Sequence, residues 1–418
     1  MNNQFDEILL AREARNNNIK NHLIDSNVVV SIKANIPGEN KQISIAYFLV
    51  HLFSKAIHFS NVVFQNKFDG LDGPYFLYVL SNATGKEIKE NMIAIEDTHE
   101  LGRFIDIDVY QYNKIFKRES FRNCFLCEQN PVICRRLKKH SKNDIFNKIQ
   151  DEVKRYIYVK IENLIDYSLL SELELSPKFG LVTPTSNGSH TDMEYSLLRN
   201  SIKIVKPFLL EMFLVGSRNL PLDQTFKIIR EIGKIAEGKM YKFTQGINTY
   251  KGIIFNLGLI ITACGYGLFG HYPYIAIFDI VKIMAKDLTD EIEVISGERN
   301  MIDHPNFEFT GARGEAERGY LTIQEVLPML IDDLRETRIL ALIRIIQLSE
   351  DSICLKRCKT FENYLTVKRM FEGIRNFDED LFINITSKCI EKNVSFGGSA
   401  DLLVASIFLT KIKDLFDY

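Results

Sequence analysis

Long low-complexity tracts and an excess of either charge are absent from this sequence, and each absence narrows the class of protein. No long low-complexity tract interrupts the 418 residues, of which 46% are hydrophobic and 25% charged, as is typical of an ordered globular protein. Neither charge is in excess, since 52 Lys and Arg stand against 54 Asp and Glu for a formal net charge of -2. We therefore expect no nucleic-acid partner, although local basic stretches could meet the phosphates of a small substrate.

Cysteine and apolar targeting segments are also scarce. Seven cysteines, an odd number, do not form the dense framework of a secreted disulfide scaffold, so we expect a cytoplasmic location. Residues 1–18 lack the basic start and apolar core of a signal peptide, so export is not expected. Residues 252–278 are apolar enough to span a bilayer, but five glycines, Asn256 and Pro273 interrupt them. We expect a buried helix pair there and no membrane association.

The chain length favours two domains of different class. Residues 4–22 and 43–59 have helical spacing, and they alternate with segments of strand length at 27–36, 62–65, 75–80, 92–96 and 103–110. From residue 143 onward nearly every apolar segment has helical length and spacing. We predict an α+β domain over residues 1–145 and a larger, mostly all-α domain over residues 146–418, with a boundary uncertain by about ten residues.

The segment Gly102–Val109, GRFIDIDV, carries two aspartates two residues apart. Alternation along a strand sends Asp106 and Asp108 to one face and the apolar residues to the other. Residues two apart on a strand are separated by about 6.6 Å, so both carboxylates can bind one Mg²⁺ and leave ligand positions for phosphate oxygens. The spacing favours phosphoryl or nucleotidyl transfer. A solvated polar face on an edge strand explains it equally well.

Two further segments of the first domain bring basic groups to turns and helix surfaces. AREAR places Arg12 on an early helix, and NIPGENK ends a strand in a turn at Asn35 and brings Lys41 close behind it. Together with Arg103 of GRFIDIDV, these residues are candidates for binding phosphates.

The first domain resembles the apo-citrate lyase phosphoribosyl-dephospho-coenzyme A transferase family over about residues 1–142. The resemblance rests on four motifs in the same order: ARE-R, NIPG-x-x-K, GRFIDIDV and C-x2-C-x6-C. It implies a nucleotidyltransferase-like fold in which Asp106 and Asp108 bind Mg²⁺. It also implies a partner, the acyl carrier (gamma) subunit of citrate lyase, whose serine hydroxyl attacks the phosphate next to the ribose and expels pyrophosphate.

The cysteine motif has two interpretations. Cys124, Cys127, Cys134 and His140 could supply three thiolates and an imidazole to a tetrahedral zinc ion, although the spacing is not a standard one. The alternative is a reduced, partly buried loop whose basic neighbours meet the carrier protein or the phosphates of a substrate.

Two polar loops open the second domain. Between SPKFGLV and NGSHTDM, Lys178 offers a charge to a polyphosphate, and His190 or Asp192 could move a proton or hold a metal. The alternative for this loop is a helix start capped by Asp192. In QGINTYKG, Asn248 and Lys251 place an amide and an ammonium group directly before the apolar run.

Two glycine-containing segments follow. GARGEAERGY interleaves small residues with Arg313, Glu315 and Glu317, which allows close backbone approach and an alternating display of charge. Its alternative is a surface turn in which Arg313 pairs with Glu317. GGSADLL opens the last helix with Ser399 and Asp401, where a carboxylate also favours the helix dipole.

The second domain resembles triphosphoribosyl-dephospho-coenzyme A synthase over about residues 150–418, in PKFGLV, NGSHTDM, GINTYKG, GARGEAERG and GGSADLL. The resemblance implies an all-helical enzyme in which the 2′-hydroxyl of 3′-dephospho-coenzyme A attacks the ATP ribose carbon that bears adenine. Such a transition state has oxocarbenium character, so it needs a carboxylate near the ribose, and Mg²⁺ with basic groups at the triphosphate. The phosphate candidates are Lys178, Lys251 and Arg313, and the candidates for acid, base and metal roles are His190, Asp192, Glu315 and Glu317.

The second domain departs from the family pattern at three places. Phe179 stands where the family usually has proline, Tyr250 where it has histidine, and Arg357-Cys358-Lys359 where it has a basic-glycine-glycine stretch. The resemblance therefore implies no role for Tyr250 or for residues 357–359. The competing hypothesis for the whole chain is a non-catalytic nucleotide- or partner-binding regulatory module fused to a helical scaffold.

Overall fold

The computed structural model describes residues 2–24, 26–38, 40–291 and 309–416. The chain divides into two units, one formed by the residues up to Val159 and the other by Lys160–Phe416. The division lies inside one continuous helix, Lys142–Leu173, whereas the predicted boundary near residue 145 lies at the start of that helix. The polar composition at residue 145 therefore coincides with the start of a helix that supplies residues to both units.

The first unit is an antiparallel sheet with helices, which agrees with the predicted α+β class. The elements are α1 (Asn2–His22), β1 (Val28–Ala34), α2 (Ser44–Ala56), β2 (Val62–Phe68), β3 (Tyr75–Leu80), α3 (Gly85–Thr98), β4 (Ile105–Gln111), β5 (Lys114–Phe116), α4 (Pro131–Arg136) and α5 (Lys142–Leu173). The five strands have the order β2-β3-β1-β4-β5. The β-branched run after residue 27 forms the central strand, and Val28, Val29, Val30 and Ile32 are fully buried.

The strand predicted at residues 92–96 is wrong, because these residues lie within helix α3. A five-residue apolar segment is too short for its periodicity to distinguish a strand from a helix. In the helix, Met92 and Glu96 are one turn apart and both are buried, which is the spacing of a helix face that packs on a sheet.

The second unit is built from helices joined by loops, with one isolated β-bridge between Thr183 and Ser186 among its described residues. Its helices after α5 are α6 (Tyr195–Gly216), α7 (Leu222–Phe243), α8 (Lys251–Gly270), α9 (Ala276–Met284), α10 (Gly311–Glu317), α11 (Leu321–Val326), α12 (Arg335–Leu348), α13 (Ser352–Cys358), α14 (Phe361–Arg369), α15 (Glu379–Glu391) and α16 (Gly397–Ile412).

The apolar run at residues 252–278 forms α8 and the beginning of α9, as expected for a buried helix pair. Among the described residues, α8 is the one helix long and apolar enough to cross a bilayer, and 78% of its apolar window is buried inside the protein. The apolar surface of α8 therefore packs mainly against other parts of the protein.

Glycines allow α6 and α8 to approach each other at backbone contact. A Cβ atom on Gly265 would overlap the carbonyl oxygen of Phe213, and one on Gly216 would overlap that of Thr262. Neither obstacle is a flexible side chain, so the helices would have to move apart to admit a methyl group.

We predict that Gly265→Ala lowers the free energy of unfolding by about 1–3 kcal/mol, because the added methyl overpacks the contact between α6 and α8. Gly238→Ala is the matched control, since a Cβ at this exposed position in α7 meets nothing within 4 Å. The control should raise the free energy by about 1 kcal/mol through helix propensity. Urea denaturation followed by circular dichroism measures both, and equal effects would contradict the close packing.

Candidate active sites

The polar face of β4 carries the paired aspartates. Ile105, Ile107 and Val109 are fully buried, whereas Asp106 and Asp108 are half-buried on the opposite face, as strand alternation predicts. The strand lies between β1 and β5, but β5 pairs only with Val109–Gln111, so the part of β4 that carries the aspartates pairs with β1 alone among the described strands.

Two side chains from α3 complete the hydrogen bonding of β4 where β5 is too short to do so. The N–H of Ile107 donates to Glu96 Oε1 at 2.9 Å, and Lys89 Nζ donates to the carbonyl oxygen of Ile107 at 2.6 Å. Both side chains are buried. They therefore fix the backbone of the residue between the two aspartates, in place of a neighbouring strand.

Cationic side chains from several elements gather around the aspartates. Lys33 lies opposite Asp106 in the strand register, with its Nζ 3.8 Å from Asp108 Oδ2. The guanidinium of Arg122 donates to Asp106 Oδ1 at 2.9 Å and also to the carbonyl oxygens of Ile105 and Gly102.

The predicted phosphate-binding residues Lys41, Arg12 and Arg103 lie near this face. Burial lowers the pKa of Lys41, and the nearby charges of Arg12 and Lys33 lower it further. Burial also lowers the pKa of Arg103, which lies over the ring of Phe125 at 4.7 Å and is close to Asp106. Such a density of positive charge favours a polyanion.

Asn35 follows β1, and its backbone N–H donates to the carbonyl oxygen of Phe104 at 2.8 Å. This bond ties the NIPG turn to the start of β4.

Burial raises the pKa of Asp106, and the carboxylates of Asp108 and Glu96 add to the effect, while Lys33 and Arg122 oppose it. Two half-buried carboxylates on one face are the oxygen ligands that Mg²⁺ prefers, so the residues present fit this ion. The surrounding cations fit the phosphate oxygens of a triphosphate.

In the second unit, the loop after Ser176 has an ammonium directed inward. Lys178 is 2% exposed, and its Nζ lies 2.9 Å from both the Oε1 and the backbone carbonyl oxygen of Glu172. Lys178, which the sequence predicted to bind phosphate, is therefore already paired with the carboxylate of Glu172. Next to it, Phe179 packs edge-on against Phe371 at 5.0 Å, so this departure from the family pattern fills an aromatic core.

His190 is held in its neutral form. Arg357 donates to His190 Nδ1 at 3.0 Å, and burial, followed by the charge of Arg357, lowers the pKa of His190 to about 4. Asp192 lies 3.7 Å from the same nitrogen and is half exposed. It is not the cap of α6, as the alternative proposed, because Glu194 occupies that position. Arg357 also binds the carbonyl oxygen of Ser189 and so fastens this loop.

Asp401 lies against the N-terminus of α8. A Cβ on Gly252 would overlap its carboxylate, so any larger residue there would displace the Asp401 side chain from this position. Burial raises the pKa of Asp401 well above its usual value, and the carboxylates of Asp351 and Glu172 contribute. Tyr250 is adjacent: burial, with the charges of Glu172 and Asp401, raises the pKa of its phenol.

Asp351 and Ser399 connect two helix starts. Asp351 Oδ1 accepts from the N–H groups of Ile353 and Cys354, and its Oδ2 accepts from the N–H and the hydroxyl of Ser399. With both oxygens occupied, Asp351 positions the first turn of α16, which carries Asp401.

Glu315 is buried with one oxygen occupied. Thr322 Oγ1 donates to Glu315 Oε1 at 2.8 Å, whereas the buried Oε2 has no hydrogen-bond partner among the described residues. Tyr320 donates to Asn256 Oδ1 at 3.0 Å, and its phenol is close to both Glu315 and Asp401.

Other predicted residues have structural contacts. Glu317 accepts from the N–H and hydroxyl of Thr289, so the alternative interpretation, a surface turn in which Arg313 pairs with Glu317, is wrong. Arg313 instead lies 3.9 Å from Glu291 and donates to the carbonyl oxygen of Leu288. Asn248 Oδ1 accepts from the N–H of Lys251, whose Nζ lies 3.3 Å from Glu237.

One surface cleft of this unit, about 560 Å³, is lined by residues 183–187 and 194–196. Another cleft, of about 170 Å³, includes Lys178. Neither of these two clefts is lined by Asp401 or Glu315.

Both units match families of known enzymes. Residues 3–156 match the family described as apo-citrate lyase phosphoribosyl-dephospho-CoA transferase, and residues 159–418 match ATP:dephospho-CoA triphosphoribosyl transferase. The chain belongs to both families. It is therefore a transferase in which two family domains occur in one chain, as the sequence motifs indicated.

Relatives with the same two-part arrangement exist. The chain is 30% identical to "Protein CitXG" of Haemophilus influenzae over 80% of its length and 79% of the relative's. It is 28% identical to "Protein CitXG" of Leuconostoc mesenteroides subsp. cremoris over 92% of its length and 91% of the relative's. It is also 29% identical to the 2-(5''-triphosphoribosyl)-3'-dephosphocoenzyme-A synthase of Haemophilus ducreyi, over 69% of the chain and 99% of that protein.

Sequence reasoning missed several residues that these sites use. Lys33 could have been found, because the alternation that pairs the aspartates also places it on the polar face of β1. Glu96, Arg122 and Glu172 carried no local signal, since each acts on a side chain or backbone group that lies elsewhere in the sequence. Arg357 was noted only as part of a departure from the family pattern, and its contact with His190 had no signal in the sequence.

We predict that His190 stays unprotonated down to about pH 4. Its pKa lies below the ordinary 6.5, so the unfolded chain binds the proton first and stability falls as the pH drops from about 6.5 to about 4. The loss is at most about 3 kcal/mol. NMR titration of the imidazole measures the pKa, and His190→Gln should reduce the acid sensitivity of urea unfolding. Titration near pH 6.5 would contradict the described burial.

Proposed function

We propose that the second unit converts ATP and 3′-dephospho-coenzyme A to 2′-(5″-triphosphoribosyl)-3′-dephospho-coenzyme A with release of adenine. The first unit then transfers the phosphoribosyl-dephospho-coenzyme A group to a serine of the acyl carrier subunit of citrate lyase, with release of pyrophosphate. Family membership of both units supports this order, because the product of one family is the substrate of the other. The seven free cysteines fit a cytoplasmic location.

The observation that carries the first activity is the pair Asp106 and Asp108 on one strand face among cations from separate elements. A nucleotidyltransferase-like site needs carboxylates for Mg²⁺ and positive charge for the departing pyrophosphate. When bound, Mg²⁺ would neutralise charge on the triphosphate. Lys33, Lys41 and Arg122 would orient its phosphates, and Arg122 would exchange its bond to Asp106 for one to phosphate.

Asp106→Asn and Asp108→Asn should each slow carrier modification from supplied triphosphoribosyl-dephospho-coenzyme A by at least about 100-fold, because each removes a charge that holds the metal. Adenine release by the second unit should stay unchanged and serves as an internal control. Asp151→Asn, an exposed aspartate of α5, is the matched control. Mass spectrometry of the carrier protein gives the rate, and wild-type rates in folded Asn variants would exclude the metal site.

The second activity rests on buried polar atoms that lack a protein partner. Glu315 Oε2, the Tyr250 hydroxyl and the Thr249 hydroxyl are all buried without a hydrogen-bond partner among the described residues. Leaving such groups unsatisfied costs about 1–3 kcal/mol each, so a substrate that binds them recovers that cost. Tyr250 and Glu315 both adjoin the region of Asp401.

We assign Glu315 the proton of the attacking 2′-hydroxyl, since Thr322 holds one of its oxygens and leaves the other free. Asp401 would stabilise the positive charge that develops on the ribose as adenine departs. Lys178 would position Glu172 rather than meet the triphosphate, because the two side chains pair inside the unit. His190, neutral and beside Asp192, is suited to hydrogen bonding with a substrate.

Glu315→Gln and Asp401→Asn should lower adenine release by about 100-fold to 10,000-fold, as expected when a general base or a charge-stabilising carboxylate is lost. Carrier modification from supplied precursor should be unaffected. Glu336→Gln, a half-exposed residue of α12, is the matched control. Chromatography of released adenine gives the rate. If both folded variants release adenine normally, these carboxylates have structural roles only.

The alternative of a non-catalytic binding module predicts a different result for the unmodified chain. A module would bind ATP or dephospho-coenzyme A without forming adenine, whereas the enzyme forms adenine and the triphosphoribosyl compound in equal amounts. Incubation with ATP, Mg²⁺ and dephospho-coenzyme A, followed by mass spectrometry, distinguishes the two.

A further inference from the structure

Three cysteines and a histidine converge in the segment between β5 and α5. The ligand atoms of Cys124, Cys127, Cys134 and His140 all lie within 4.8 Å of one another. Cys127 Sγ is 3.5 Å from Cys134 Sγ and 3.3 Å from His140 Nε2. In a tetrahedral zinc site, bonds of about 2.3 Å to sulfur separate two sulfurs by about 3.8 Å. The four atoms therefore need only small shifts to surround one zinc ion.

Local backbone structure brings these residues together. The N–H of Cys124 donates to the carbonyl oxygen of Gln129 at 2.8 Å, and the N–H of Gln129 reaches the thiol of Cys127. Asn130 caps α4, which presents Cys134. The chain then reverses where the N–H of Lys139 donates to the carbonyl oxygen of Cys134, and this turn returns His140 to the cluster.

The segment has almost no apolar core that could hold this arrangement. Among residues 112–148, all of which the structure describes, Cys134 is the only buried residue. The apolar side chains of Phe121 and Leu137 are 80% and 70% exposed. A stretch of this length that keeps a defined shape without burying apolar surface needs another source of stability, and a bound metal is one of the few available.

We propose that Cys124, Cys127, Cys134 and His140 bind one Zn²⁺ ion in a closed, structural site. All four ligands come from the protein, so no position is left for a substrate. The same segment carries Arg122, which contacts Asp106, and Phe125, which stacks with Arg103. Zinc would hold these groups at the polar face of β4.

The direct test is the zinc content of the full chain, purified with its thiols reduced from cells grown with added zinc and then dialysed. Mass spectrometry of the metal should find about one zinc per chain, as one tetrahedral site requires. Cys127→Ser should lose it, whereas Cys264→Ala, which removes a buried thiol of α8, should keep it. Zinc absent from the wild type, or retained by Cys127→Ser, would overturn the proposal.

A second measurement covers the case in which Cys127→Ser does not fold. In the native wild-type chain, zinc should protect the three clustered thiols from a thiol reagent until a strong chelator is added. Addition of cobalt to the chelated protein should then produce the thiolate-to-metal absorption of a tetrahedral site. Equal reactivity with and without chelator, or a Cys127–Cys134 disulfide found by mass spectrometry, would overturn the proposal.

The consequence for activity rests on the proposed function, whereas the zinc content does not. Removal of zinc by the chelator, followed by removal of the chelator and restoration of Mg²⁺, should slow carrier modification and leave adenine release unchanged. If zinc is bound but neither rate changes on its removal, the site exists without supporting the face of β4. If carrier modification is absent even with zinc bound, the proposed function fails and the zinc site stands.

Discussion

Carboxylates that lie where little water reaches impose the main constraint on both units, because burial disfavours their charged form unless other groups compensate. Asp106 is compensated by cations, with Lys33 opposite it in the sheet and Arg122 bonded to it. Burial raises the pKa of both aspartates, but Lys33 and Arg122 oppose the rise at Asp106, whereas the carboxylates of Asp351 and Glu172 add to it at Asp401. A positive charge that develops near Asp401 would therefore favour its ionised form.

Side chains distant in sequence hold these carboxylates by satisfying backbone groups. Glu96 and Lys89 close the hydrogen bonds that β5 leaves open at Ile107, so the spacing of the aspartates depends on a helix and not only on the sheet. Asp351 performs a comparable task in the second unit, where it caps α13 and binds the first turn of α16. The supporting acids, Glu96 and Asp351, are more completely hydrogen-bonded than the acids of the candidate sites, Asp106 and Asp401. This arrangement is expected of a rigid support around a reactive group.

Period-two alternation and helical spacing predicted the parts of the fold that repeat. They gave the faces of β4, the central strand β1 and the burial of α8, since each depends on the residues of one element alone. They failed at residues 92–96, where five residues fit either period. Helical spacing also suggested a pair between Arg313 and Glu317, but Arg313 lies near Glu291, which is outside that helix. Glu172 and Arg357 could not have been found this way. Each matters only because the fold places it in contact with Lys178 or His190, and a single sequence does not show which distant residues come into contact.

The two sites have opposite charge, and the proposed chemistry requires that difference. In the proposed function, pyrophosphate leaves the first unit as an anion, and the face where Lys33, Lys41 and Arg122 surround two aspartates would stabilise the departing charge. Loss of adenine from ATP instead places positive charge on a ribose, and the carboxylates of Asp401 and Glu315 would stabilise that charge. A single site could not serve both steps well, because each set of charges would oppose the transition state of the other step. Fusion of two units in one chain therefore joins the activities without merging the sites.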